Sequence, residues 1–263
     1  MQNQRNCHEN VWILSGTADG PIIASKLLSL NYVVFVSVVT YKATKVYQKN
    51  DKLHIFTGKL NDEKEIKKFI MDNKINQVID ATHPFAVKIS KYLKKVCLEI
   101  NKRIYRFERV FRYKSKSTII PNFTYLNKLQ VKNKNILLAI GSRDLNKVAK
   151  FYINLGANVF ARVIPTPDSI SRSFSSCIKD SNIAILNPSN DSQNSLEYYL
   201  CNYWKIDFII CRDSGGYSQM LWDQICLRKE ISLFLLKRPD SIFNQYVFSD
   251  FDKLIEKIYH TRS

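Results

Sequence analysis

The stretch VWILSGTADGPIIASKLLSLNYVVFVSVV, Val11 to Val39, decides the fold. It opens on a short apolar run of strand length, Val11–Leu14. A small, polar, glycine-bearing turn follows, Ser15-Gly16-Thr17-Ala18-Asp19-Gly20, and then IIASKLLSL with helical spacing. Tyr32–Val39 is β-branched and unbroken, the pattern of a strand buried on both faces.

The alternation continues outward from there. Leu53–Phe56 reads as a strand, and Asn61–Asp72 as a helix with a polar cap and Ile66, Phe69 and Ile70 at helical spacing. Gln77–Asp80 is a further strand, Phe85–Ile100 a helix and Arg103–Phe107 a strand. Such βαβ alternation predicts a mostly parallel sheet covered by helices. The pattern weakens over Ser115–Asn133, where a domain boundary is expected, and a second series follows. Its strands are Asn135–Ile140, Asn158–Val163, Ile183–Leu186, Asp207–Cys211 and Ser232–Leu236. Helices are expected over Leu145–Asn154, Ser169–Ile178, Ser192–Trp204 and Gln219–Arg228, with Phe251–His260 closing the chain. The expectation is an α/β protein of two doubly wound, Rossmann-like or flavodoxin-like domains with mostly parallel sheets facing a cleft. Residues 1–118 would bind a cofactor, and residues 119–263 would complete a substrate cleft.

Composition narrows the function classes. The 263 residues leave room for one large or two small domains at roughly 150 residues each. With 45% apolar and 24% charged residues, long disorder is not expected. The longest apolar-rich run, Tyr32–Tyr41, is far too short to span a membrane, and the polar N-terminus carries no secretory signal. The cysteines, at 7, 97, 177, 201, 211 and 226, form no metal-type spacing. Reduced, mostly buried thiols in a cytoplasmic protein, monomeric or weakly oligomeric, are expected, with no metal. Forty basic against 23 acidic residues give a net charge of +17. That charge suits either a polyanionic ligand or lysine-rich solvated helix faces such as KEIKKF and KYLKKV. No aromatic RNA-binding motif, Cys/His finger or Arg-rich tail accompanies it, so nucleic acid is not the expected partner.

Chemistry is expected at the strand ends. Gly16 and Thr17 lie between a strand and a helix N-terminus, the place where dinucleotide folds hold a diphosphate, although GxGxxG is absent. After the second strand, Thr40, Lys42 and Lys45 occur with no acid, which fits a ribose 2′-phosphate better than a bare ribose. Asp80-Ala-Thr82-His83-Pro84 follows another buried strand, and Asp80 could fix the His83 tautomer. Gly141-Ser142-Arg143 and Asp213-Ser214-Gly215-Gly216 repeat the pattern in the second series. Arg106, Arg109, Arg162 and Arg212 lie at strand ends, and at least two of them are expected to bind ligand carboxylates.

SGTADG, DATHPFA with Ile89-Ser90, YRFER, GSRDL, ARVIP, and RDSGG followed by LLKRP occur in the order found in precorrin-6A reductases, which the chain resembles from about Val11 to Pro239. The resemblance implies two α/β domains, NADPH as hydride donor, and precorrin-6A or its cobalt form as a polycarboxylate tetrapyrrole substrate. The reaction would reduce one macrocycle double bond to give precorrin-6B, without flavin or metal. It places the cofactor at Ser15, Gly16, Thr17, Asp19, Thr40 and Lys42. Substrate would meet Thr82, Arg106, Arg109, Gly141, Ser142, Arg143, Arg162, Ser214, Gly215 and Gly216, with His83 and Asp80 as candidate proton donors beside solvent. Ser15, Ala18-Asp19, Asn187-Pro188-Ser189 and Trp222 depart from the family pattern. A non-catalytic, regulatory nucleotide-binding module of the same two domains is the alternative expectation.

Overall fold

The computed structural model describes residues 9–109, 117–128, 130–189 and 191–261. The chain begins with β1 (Asn10–Ser15), α1 (Asp19–Ser29), β2 (Val33–Val38), β3 (Leu53–Thr57), α2 (Glu63–Asp72), β4 (Gln77–Ala81), α3 (Val87–Glu99) and β5 (Arg103–Phe107). Next come β6 (Ser117–Ile120), β7 (Asn135–Ala139), α4 (Leu145–Asn154), β8 (Asn158–Val163), α5 (Pro167–Phe174) and β9 (Ile183–Ile185). α6 (Leu196–Tyr203), β10 (Phe208–Arg212), α7 (Tyr217–Lys229), β11 (Ser232–Leu236), β12 (Val247–Phe248) and α8 (Phe251–His260) complete it. Two six-stranded sheets result, ordered β12-β5-β4-β1-β2-β3 and β6-β11-β10-β7-β8-β9, and every pairing is parallel. The expected α/β class and parallel sheets are observed.

The strands are apolar on both sides because helices cover both faces. In β1, Val11 and Ile13 join a core with Ile23 and Leu27 of α1 and Leu254 and Ile258 of α8. Trp12 and Leu14 point the other way, into a core with Ile66 and Ile70 of α2 and Leu93 and Val96 of α3. Burying a side chain of this size contributes about 1.5–3 kcal/mol.

The domain limits differ from those expected. The chain divides into Met1–Val110 with Pro239–Ser263, and Phe111–Arg238. The C-terminal segment returns to the first unit because β12 pairs with β5, Val247 opposite Arg106 and Phe248 opposite Phe107. α8 then buries its apolar stripe on that sheet, with Phe251 stacked on Phe107 at 4.5 Å. The stripe's spacing marks a helix, but not which sheet it covers. β6 and β12 were not read from the sequence, being only four and two residues long. Cys7 lies outside the described residues. Cys97, Cys201, Cys211 and Cys226 are buried, and Cys177 is exposed. Among the described residues no helix is long and apolar enough to cross a membrane.

Candidate functional site

In the first sheet the connections run from β1 outward through β2 to β3, then resume on the other side with β4 and β5. At that reversal the adjacent β1 and β4 end at the carboxyl edge of the sheet, the place where open α/β sheets take ligands. Ser15 is in register with Ala81 there, so Ser15-Gly16-Thr17 and Thr82-His83 leave the sheet side by side. Gly16 N–H donates to Ala81 O at 3.2 Å. A Cβ on Gly16 would lie 3.0 Å from His83 N and 3.2 Å from Thr82 Cα. Close approach of two backbones, and not an unusual φ, therefore demands glycine. On Gly20 a Cβ would overlap Ser15 Oγ and come within 2.5 Å of the Tyr47 hydroxyl. Burial pushes the Tyr47 phenol up, so it stays protonated.

Thr17 and Asp19 are engaged with the protein itself. Thr17 Oγ1 donates to Asp19 Oδ2 at 2.8 Å, and Asp19 Oδ1 forms an ion pair with Arg109 Nε. Asp19, in the first turn of α1, is 4% exposed. Arg109, expected at the substrate, is thus tied to a residue expected at the cofactor. Thr40, Tyr41 and Lys42 are exposed at the start of a short 3-10 helix, Tyr41–Val46, that follows β2.

The Asp80 side chain does not orient His83. It is wholly buried, and its Oδ1 accepts from Thr82 N at 3.0 Å, Thr82 Oγ1 at 2.7 Å and Arg106 Nη1 at 2.7 Å. Asp80 Oδ2 has no hydrogen-bond partner among the described residues. Arg106, 2% exposed, also donates from Nε to Glu108 Oε1 at 2.9 Å. His83 Nδ1 instead accepts from Phe85 N–H at 3.2 Å, which puts the proton of the neutral ring on Nε2. The Asp80 carboxylate points into the Arg106 guanidinium because a buried charge needs an opposite charge more than a neutral ring does.

The second sheet reverses between β7 and β10. Gly141 (φ +77°) and Gly215 (φ +68°) turn the chain there in the left-handed region that favours glycine. Ser142 Oγ lies 3.4 Å from Ser169 Oγ in α5. Arg143 is exposed and makes no ion pair among the described residues. The Asp213–Gly216 turn is already occupied. Ser214 N–H and Gly215 N–H both donate to Gln219 Oε1 at 2.7 Å, Gly216 N–H faces Ser214 Oγ at 3.4 Å, and Asp213 takes both Arg238 Nε and Nη2.

All four grouped arginines have carboxylate partners: Arg106 has Asp80 and Glu108, Arg109 has Asp19, Arg162 has Glu197, and Arg212 has Asp144. Arg162 lies in β8, one strand from the reversal, and its Nη2 donates to the fully buried Glu197 at 3.2 Å. Burial pulls the Arg162 guanidinium down and Glu197 opposes that shift. Glu108, Gln219 and Tyr47 were missed. Glu108 falls inside the quoted YRFER stretch, two residues from its partner Arg106. Gln219 reaches back across a turn, and Tyr47 meets Ser15 and Gly20 from a distant part of the chain, which no motif marks. No group of three His, Cys, Asp or Glu able to hold a metal occurs among the described residues.

A family model described as Precorrin-6x reductase CbiJ/CobK matches residues 10–259. The chain is 28% identical over 261 residues to a cobalt-precorrin-6A reductase of Methanocaldococcus jannaschii, covering 95% of this chain and 98% of that protein. It is 26% identical over 241 residues to a cobalt-precorrin-6A reductase of Synechocystis sp., covering 89% and 90%. A solved structure of CobK precorrin-6A reductase superposes with a TM-score of 0.78 at 16% identity over 96% of each chain, a likeness of fold.

Proposed function

The chain belongs to the precorrin-6x reductase family of cobalamin biosynthesis, and from that premise we propose that it reduces precorrin-6A, or its cobalt form, to precorrin-6B with NADPH. The observation that carries this reading is the meeting of Ser15-Gly16-Thr17 with Thr82-His83 at the reversal of the first sheet, so close that a Cβ on Gly16 would press on the Thr82 and His83 backbone. Bound there, NADPH would supply the hydride, and the protein's part is to hold, orient and protonate.

In this reading Ser15, Gly16, Thr17 and the first turn of α1 receive the cofactor diphosphate. Thr40, Lys42 and Lys45 receive the 2′-phosphate, supported by the absence of any acid from Val33 to Asn50 and by the exposure of Lys42. Substrate carboxylates go to Gly141, Ser142 and Arg143, the last an exposed cation with no ion pair among the described residues. The reduced carbon framework also needs a proton, and His83 is assigned to deliver it from Nε2 as the imidazolium, in which Nδ1 is protonated too and has given up the Phe85 N–H contact. Asp80 is assigned to position Arg106 rather than to donate.

The test is to mix the protein anaerobically with NADPH and precorrin-6A and follow loss of the reduced nicotinamide together with the corrinoid spectral change. No reaction with either the metal-free or the cobalt substrate would overturn the reading. NADH is run in parallel, since a charge-assisted phosphate contact contributes about 1.5–3 kcal/mol, roughly ten- to a hundredfold in affinity. Equal affinities would withdraw NADPH as the preferred donor.

A further inference from the structure

An acid already sits where the diphosphate would bind. Asp19 occupies the first turn of α1 and is almost fully buried, and its carboxylate accepts a hydrogen bond from the Thr17 hydroxyl. A carboxylate at a helix N-terminus draws on the same dipole that a phosphate would use, and repels that phosphate. Its partner, Arg109, lies just beyond β5, two strands away from β1, and reaches α1 across the end of β4. The Arg109 side chain is 30% exposed while that of Asp19 is 6% exposed, so the cation is the member nearer solvent.

We propose that the Asp19–Arg109 pair sets the charge of the cofactor's diphosphate site: Arg109 cancels the buried carboxylate and presents its positive charge to the dinucleotide. The assignment rests on the cofactor reading above, and it moves Arg109 from the substrate to the cofactor. It differs from a purely structural tie between β5 and α1 in one respect. If charge is what matters, removing the acid should repair the loss of the base. If the pair only anchors the chain, removing both partners is no better than removing one.

The experiment titrates NADPH into the full-length protein, followed by nicotinamide fluorescence and by calorimetry, with a thermal melt of each variant. Wild type, Asp19→Asn, Arg109→Ala and the double variant are compared. Arg109→Ala should weaken NADPH binding about thirtyfold, within the range for loss of a charged contact beside an uncompensated acid. Asp19→Asn should bind within about threefold of wild type or tighter, and the double variant should recover about tenfold over Arg109→Ala. A double variant as weak as Arg109→Ala, or Asp19→Asn as weak as Arg109→Ala, overturns the assignment. Should Arg109→Ala not fold, Arg109→Gln is read in its place against its own double with Asp19→Asn. Wild type that takes up no NADPH would remove the cofactor reading itself. Wild type that binds, with no recovery in the double variant, removes only the role of the pair.

Discussion

Gly16 and His83 illustrate how much one backbone contact decides. Gly16→Ala forces a methyl group to about 3 Å from the His83 amide, tighter than ordinary van der Waals contact. Neither backbone can yield without disturbing the Gly16–Ala81 hydrogen bond, so NADPH affinity should fall in titration while the far-UV spectrum is preserved. At His83, Asn retains hydrogen-bonding capacity but cannot donate as an acid. His83→Asn should lower kcat by about a hundredfold, the usual scale for a lost general acid. If the His83 imidazolium is the acid, wild-type activity should fall as rising pH removes its proton, and the variant should show no such fall. A variant with near-normal kcat and an unchanged pH profile would leave solvent or the substrate's own carboxylates as the proton source. The cysteines give a separate test. Burial pushes the Cys97 and Cys201 thiols up to about 12, and Cys211 and Cys226 up in the same direction. A thiol raised in the folded state favours folding fully below its unfolded pKa of about 8.5, and that contribution is lost as pH rises toward the folded value. The urea midpoint should therefore fall steadily between those limits. Below them, iodoacetamide should modify Cys177 and spare the four buried thiols, as read by peptide mapping.

Helix ends carry an unusual signature in this glycine-poor chain. Lys74 after α2 (φ +48°) and Lys205 after α6 (φ +47°) occupy the left-handed conformation that normally falls to glycine at such positions. An L-residue there costs about 1–2 kcal/mol, against which glycine loses about 0.5–1 kcal/mol of chain entropy. Lys74→Gly and Lys205→Gly should each stabilise by up to about 1 kcal/mol in urea denaturation. Asn101 (φ +52°) after α3 should gain less from glycine, because Asn tolerates this region. Equal gains at all three would mean that side-chain contacts, not backbone strain, set the result. α7 shows a different device, with Gln219 turning its carboxamide back onto the Ser214 and Gly215 amides.

Each unit buries its own core. Residues 11–107 with 254–258 build the cores of the first unit, and residues 120–235 those of the second. A ligand held by the first unit should therefore stabilise that unit. At a hundred times its dissociation constant, NADPH should add about 2.7 kcal/mol and slow amide exchange of β1 and β4 roughly a hundredfold. β7 and β10 should be unaffected by the cofactor alone, and equal protection of both sheets would contradict this. By the same division, Arg143→Ala in the second unit should weaken substrate binding and leave NADPH affinity unchanged. A loss on both would place Arg143 at the cofactor.

The local order of strands and helices was legible from residues 11–39 onward, because periodicity and turn chemistry are carried by neighbours in the chain. So was the identity of the loops at the site, since SGT and DATH each follow a run of strand-forming residues. The ownership of α8 was not, because an apolar stripe states that it must be buried and leaves open which sheet covers it. The fate of the arginines was not legible either. Whether Arg106, Arg109 or Arg162 faces a ligand depends on Asp80, Asp19 and Glu197 lying within 4 Å, and those partners are 26, 90 and 35 residues away in the chain. A buried charge is settled by its nearest opposite charge in space, and only the packing of the elements brings that neighbour into reach.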